Sequence, residues 1–260
     1  MNARLNVEAM NSGLVASIST QQHAFKALRS KEERMPFTVK IVRSDDELGK
    51  AVHIRHAAYG RHLEALASVL KVPEPHDRED GSVVLLAESK LDGSPLGTMR
   101  IHTNRHRKLP LEGSVVLPDW LQNKSLAEAT RLGVSLGRMG RVVKTTLFKA
   151  YHDYCAEHNI DWMVIAGRSP LDRQYEALCF EDVYAGGDFI PMHHASNIPH
   201  RVMALEVAMV ESRWGATNHP LYDFFFRTYH PDIAVSDEKL VSPEIGIRHA
   251  KSFDEVAMAA

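Results

Sequence analysis

Several residue pairs in this sequence have types and spacings that could do chemistry: Arg55 with Tyr59, Asp77 with Asp80, Gly97 with Arg100, and Glu128 with Arg131. A carboxylate such as Glu128 can take a proton as a general base. A guanidinium such as Arg100 or Arg131 presents a fork of donors that fits a carboxylate. Arg55 and Tyr59 stand at i and i+4, neighbours on one helix face. Glu128 and Arg131 are three apart on a strand, which sends them to opposite faces if it is regular. Either a β-bulge brings them together, with Gly133 a reasonable place for it, or only one faces the site. Taken one pair at a time, these residues also read as structural ion pairs, with Asp77 and Asp80 anchoring Arg55, Arg100 and their loop.

A second group concerns anions. Arg138-Met139-Gly140-Arg141, just after Gly137, lies between a strand and an amphipathic helix, where free N–H groups and the helix dipole attract negative charge. The basic residues Arg105, Arg107, Lys108 and Lys144 are expected to flank this loop. Other features read as bland. Tyr175 is a packed helix tyrosine. His193-His194 lacks further ligands at a recognisable metal spacing, so no metal site is expected. Phe224–Phe226 reads as packing, and Cys155 and Cys179 as inert thiols. Walker loops and G-x-S-x-G elbows are absent from the sequence.

The elements that must position these residues follow from periodicity. Residues 37–42, 82–88, 96–103, 127–134, 162–166 and 202–210 read as strands. A helix starts at the Ser44/Glu47 capping box and runs to about Leu66, another spans 142–160, and a third runs from Ser169-Pro170 to Ala177. A segment at Gln21–Leu28 could be helical, and one more strand could lie within 182–191. The order is that of a mixed sheet with helices on its faces.

The chain has 260 residues, 44% hydrophobic and 25% charged, which fits one core of about 200 residues with extensions. The expected division is an N-terminal extension at 1–35, one domain at 36–230 and a tail at 231–260. A net charge of −2 leaves no global basic field for nucleic acid. No apolar run is long enough for a membrane span, and residues 1–35 lack a signal-peptide core. Two cysteines make no disulfide framework, so a reducing, cytoplasmic setting is expected.

The element order resembles the GNAT acyltransferase fold, an α/β mixed sheet flanked by helices with a splayed central strand pair. The 137–141 loop resembles that family's donor loop, R/Q-x-x-G-x-G/A, though its spacing departs from it. The run Arg173–Phe180 resembles the family's YxxxGF segment, with Cys179 where glycine is usual; there the tyrosine can protonate the departing thiolate. The pieces Arg55-x-x-x-Tyr59, Asp77-x-x-Asp80, Gly97-x-x-Arg100 and Glu128-x-x-Arg131 together resemble the acyl-homoserine lactone synthases and the related long-chain N-acyl amino acid synthases. Tyr59 stands where lactone synthases have Phe, the tryptophan expected shortly after it is missing, and both ends are longer. These departures favour the amino acid branch.

The resemblance implies transfer of a long-chain acyl group from acyl carrier protein, or from acyl-CoA, to the amine of an amino acid, with no further cofactor. It casts Glu128 as the base, acting directly or through water, main-chain N–H groups near Val134 as the oxyanion site, and Arg100 or Arg131 as the holder of the acceptor's carboxylate. Arg55, Tyr59, Gly133, Val134, Arg138, Gly140 and Arg141 would bind substrate and donor, with Asp77, Asp80 and Tyr175 supporting. The alternatives are a lactone synthase, an acetyl-CoA N-acetyltransferase, or a catalytically silent module that binds an acyl carrier.

Overall fold

The computed structural model describes residues 31–236. The expected helix at Gln21–Leu28, with most of both terminal extensions, lies outside the described residues. The strands are β1 (Lys31–Glu32), β2 (Phe37–Ile41), β3 (Ser82–Ser89), β4 (Pro95–Thr103), β5 (Leu126–Val134), β6 (Trp162–Gly167), β7 (Glu181–Asp182), β8 (Ile190–Met192), β9 (Ile198–Glu206), β10 (Thr228–Tyr229) and β11 (Ile233–Ala234). The helices are α1 (Asp45–Gly60), α2 (Glu64–Val69), α3 (Gly137–Glu157), α4 (Asp172–Glu176) and α5 (Val210–Ala216).

The large sheet runs β11-β2-β3-β4-β5-β6-β9-β7, with β8 added to β9. Its β11–β2 and β5–β6 pairs are parallel and the others antiparallel, so the sheet is mixed. β1 and β10 pair separately. Residues on both sides of the expected 36–230 limits thus take part in sheet pairing.

Alternation along the strands sorts the two faces. On one face, Met99, Ile101 and Ala127 pack under Val143, Leu147, Ala150 and Tyr151 of α3. On the other, Val84 and Leu86 pack beneath Leu48, Ala51 and Val52 of α1. Farther along that second face, Leu126, Val164, Val202 and Ala204 pack with Leu109, Leu111, Leu117 and Leu121. Between these two apolar clusters the same face carries Arg100, His102, Glu128 and Thr130, all buried.

Ser44 caps α1, its hydroxyl accepting from the Glu47 amide at 3.3 Å, with three acidic residues in the first turn. The helix stops at Gly60 rather than near Leu66. The amides of His62 and Leu63 both donate to the Tyr59 carbonyl, and Leu63 leaves the helical region, so α2 turns back and buries Leu66 and Ala67. α3 begins at Gly137, earlier than its apolar periodicity suggests, because Gly137 (φ +81°) turns the chain and Gly140 packs on the Ser135 carbonyl. The apolar run after Ile198 is strand only to Glu206. Val207, Val210 and Trp214, at helical spacing, carry it over into a turn and α5.

Candidate active site

β5 and β6 pair from Leu126↔Trp162 to Ala129↔Ile165 and then part. Beyond that point Gly133 and Val134 of β5 pair with β4, and Ala166 and Gly167 pair with β9. A cleft of about 280 Å³ occupies the gap. On the β5 side it is lined by Ala129 to Val134, backed by Ala58, Tyr59, Leu63 and Leu66. Ala166, Arg168, Leu171 and Tyr175 line the β6 side, and His194, Ile198 and His200 complete it.

The β-bulge is present, but at Arg131–Leu132 rather than at Gly133. Thr98 faces Gly133 and Arg100 faces Thr130, leaving two residues of β5 opposite Met99, with Arg131 at φ +54°. The extra residue shifts the alternation. Thr130 and the following Arg131 both reach the polar face, where the Thr130 hydroxyl lies 3.1 Å from His102 Nε2 and Arg131 meets Glu74. Gly133 has a different reason to be glycine: a Cβ there would stand 3.2 Å from Arg55 Cα and 3.1 Å from Ala58 Cβ. Its absence lets α1 lie against β5.

The ion cluster on this face joins three arginines to two carboxylates. Asp77 takes a forked pair from Arg55, at 2.8 and 2.9 Å, and a bond from Arg100 at 3.0 Å. Glu74 takes a forked pair from Arg131, at 2.8 and 2.7 Å, and further bonds from Arg100 and Arg55. Burial works to raise both acids, but the facing guanidiniums outweigh it and hold them below the usual carboxylate range. Asp80 is exposed and stands outside the cluster; the second acid is Glu74, a residue not singled out in the sequence. Arg100 is 2% exposed and does not line the cleft, whereas Arg131 does. Burial and Arg100 together push His102 down to about 2, so this imidazole is neutral.

Glu128 is fully buried behind the cleft wall and is not part of its lining. Its Oε2 accepts from the Leu111 amide at 3.0 Å, and its Oε1 lies 3.6 Å from Nε2 of His194. Desolvation pushes its pKa up to about 8. His194, which does line the cleft, is pushed down to about 4 by burial and then by Arg131.

Val134 and Tyr175 both face the cleft. The Ser135 amide donates to Leu96 in β4, so the preceding residue points its polar edge the other way, and the Val134 carbonyl accepts from Arg61 at 2.7 Å. Burial raises the Tyr175 hydroxyl above its ordinary range, and its ring meets Phe148 and Phe180 edge-on. Cys179 follows α4 at φ +66°, a conformation that glycine adopts without strain.

At the start of α3, Arg138 and Arg141 are exposed, and Leu136 at the N-cap contributes no side-chain cap. Arg105 and Arg107 do not flank this loop. Arg105 donates to the carbonyl of His158, at the far end of α3, and Arg107 pairs with Glu79. Glu74, Arg168, His194 and His200 are site residues that sequence reasoning missed. His194 carried a visible signal, the His193-His194 doublet, but nothing local tied it to Glu128. Among the described residues no group of three or more His, Cys, Asp or Glu is arranged to hold a metal, and no helix is long and apolar enough to cross a membrane.

A family model described as N-acyl amino acid synthase FeeM matches residues 50–204. Among solved structures, FeeM, an N-acyl amino acid synthase from uncultured soil microbes, is similar with 19% identity and a TM-score of 0.54, over 72% of this chain and 97% of its own. The CoA-dependent acyl-homoserine lactone synthase BjaI, solved with SAM and isopentyl-CoA, has 13% identity and a TM-score of 0.49, over 75% of this chain and 93% of its own. Aminoglycoside 6'-acetyltransferase type Ii has 11% identity and a TM-score of 0.45, over 65% and 96%. No curated protein sequence matches the chain.

Proposed function

The chain belongs to the N-acyl amino acid synthase FeeM family and is an acyltransferase, and from that premise we propose that it moves a long-chain acyl group from the thioester of an acyl carrier protein to the amine of an amino acid. One observation carries the reading: the cleft between the parted strands has apolar walls and an arginine-rich face. Ala58, Leu63, Leu66, Leu132, Ala166, Leu171 and Ile198 offer the surface an acyl tail needs. Three guanidiniums against two carboxylates leave the neighbouring cluster with excess positive charge, and Arg131 presents it to the cleft. An acceptor carboxylate is stabilised there, which leaves its amine free to face the thioester carbonyl.

In this reading the Val134 N–H, which points toward the cleft, donates to the oxyanion as the tetrahedral centre forms. Tyr175, kept neutral by burial, is placed to protonate the departing thiolate. Arg138, Gly140 and Arg141 receive the phosphate-bearing arm of the donor at the start of α3. Tyr59, beside Arg131 in the cleft, borders the acyl path. Arg55, Arg100 and Asp77 hold Arg131 and Glu74 in place from behind. An open cleft favours transfer over a silent carrier-binding module, whose pocket would be blocked at the strand split.

The test is product mass after incubation with acylated carrier protein, or with acyl-CoA, in a mixture of amino acids and S-adenosylmethionine. A long-chain N-acyl amino acid is expected, formed faster from the carrier. Acyl-homoserine lactone with no acyl amino acid would overturn the reading, and equal use of acyl-CoA would overturn the choice of donor.

A further inference from the structure

Resting on that reading, the geometry points to His194 as the catalytic residue that takes the proton from the attacking amine, with Glu128 as the buried carboxylate that offsets the charge its ring gains. The sequence alone casts Glu128 as the base, yet Glu128 is sealed from the cleft and His194 stands at the wall. The backbone that carries the imidazole is fixed from both sides. The preceding His193 amide donates to Ser114 Oγ at 2.8 Å, and Arg131 donates to the carbonyl of His194 at 2.9 Å. Ser196 and Asn197, both at left-handed φ, then reverse the chain into β9. Nε2 faces Glu128 Oε1 at 3.6 Å. Nδ1 of His194 and Oε1 of Glu128 are both buried without a hydrogen-bond partner. Nε2 is outside this sealed set, so it is the ring nitrogen that an amine in the cleft can reach.

The amine nitrogen bonds to the thioester carbonyl carbon and passes its proton to Nε2, while Nδ1 keeps its hydrogen and the Glu128 carboxylate offsets the charge the ring gains. The C–S bond then breaks with its electron pair going to sulfur, which leaves as thiolate and takes a proton. The products are an amide and a free carrier thiol. The pair works from its singly negative form, a Glu128 carboxylate beside a neutral imidazole, and ends neutral. Glu128 is faced by Arg100, Arg131 and Glu112 on its own side of the sheet and by Tyr151 from α3. His194 is faced by Arg131, Arg100, His200 and Glu74. Burial keeps the proton on Glu128 up to about pH 8, and burial followed by Arg131 keeps the imidazole uncharged. The active form therefore grows as pH rises through the value of the pair.

The experiment compares wild type, His194→Gln and Glu128→Gln with acylated carrier protein and an accepted amino acid, as kcat against pH. Wild-type kcat is expected to climb with an apparent pKa near 8. His194→Gln should lose roughly 100-fold or more in kcat, with donor KM little changed. In Glu128→Gln the climb should move below pH 6, a change that the acceptor's own titration cannot produce. A folded His194→Gln with wild-type kcat, or a limb that is missing from wild type or unmoved in Glu128→Gln, overturns the assignment while the acyl-transfer reading stands. Should His194→Gln fail to fold, the two pH profiles decide. A wild-type protein that forms no acyl amino acid from any donor overturns the acyl-transfer reading itself, and this inference with it.

Discussion

Asp77 shows how the residues around the cleft depend on one another. Its side chain is wholly buried between Arg55 and Arg100, and its Oδ2 also accepts the Glu74 amide at 2.8 Å. Replacing it with asparagine leaves two buried guanidiniums short of a counter-charge. Asp77→Asn is therefore expected to lose about 3–5 kcal/mol, the scale for breaking a buried ion pair. The sign with pH follows from the depressed pKa values of Asp77 and Glu74. Their stabilisation is complete above the unfolded carboxylate range and is lost as pH falls through the lower folded values. Thermal midpoints measured from pH 6 to pH 3 should fall more steeply in wild type than in Asp77→Asn; parallel curves would refute this. Four members of the cluster, Arg55, Asp77, Arg100 and Arg131, were legible in the sequence because the short pieces that hold them, taken together, resemble the synthase families. Glu74 was hidden among the acids of its own loop, where nothing in the local pattern separates it from Asp80. His194 lies far along the chain from Glu128, and only the turn before β9 brings the two together.

At the scale of elements, the apolar periodicities located the long strands and α3, but β9 lies at Ile198–Glu206 rather than 202–210 and α3 starts at Gly137 rather than 142. What they missed were irregularities set by backbone contacts. The bulge falls on Arg131, a residue with no intrinsic taste for a left-handed conformation, so sequence reasoning put it on the nearby glycine. Tertiary bonding explains the choice: the bulge lets Thr130 and Arg131 share one face, and Arg131 is then held by Glu74 and the His194 carbonyl. The turn from β5 into α3 makes a sharper case. A Cβ on Gly140 would lie 1.8 Å from the Ser135 carbonyl oxygen and 2.8 Å from its carbon, both backbone atoms that cannot rotate away. Gly140→Ala must therefore shift the first turn of α3 against β5. It is expected to cost about 3 kcal/mol, the upper end of overpacking penalties. It should also raise donor KM more than acceptor KM, if the turn receives the donor as proposed. Denaturant unfolding and steady-state kinetics check both, and a variant as stable as wild type would contradict the argument.

Across the whole molecule, α3 separates two basic regions that look like one in the sequence. The helix has 21 residues, so its ends stand about 30 Å apart. Arg105 and Arg107 lie toward its C-terminal end, where they meet His158 and Glu79. Arg138 and Arg141 lie at its start, exposed, with half-buried Lys144 lining the cleft. Leu136, Met139 and Val142 are exposed among them, at 73%, 39% and 43%. Apolar anchors ringed by cations suit the acidic carrier protein proposed as donor, and this end of α3 adjoins the opening between β5 and β6. Donor affinity is therefore expected to weaken as salt rises from about 50 mM to about 300 mM. The double variant Arg138→Glu/Arg141→Glu should raise donor KM roughly tenfold or more, since each reversal sets like charges face to face. Arg105→Glu/Arg107→Glu makes the same change in net charge at the far end and should leave donor KM nearly as it is. The contrast between the two doubles separates local docking from the overall field of a protein whose net charge is −2. Equal effects from both would mean that the field alone attracts the donor, and no effect from either would remove the start of α3 from the docking surface.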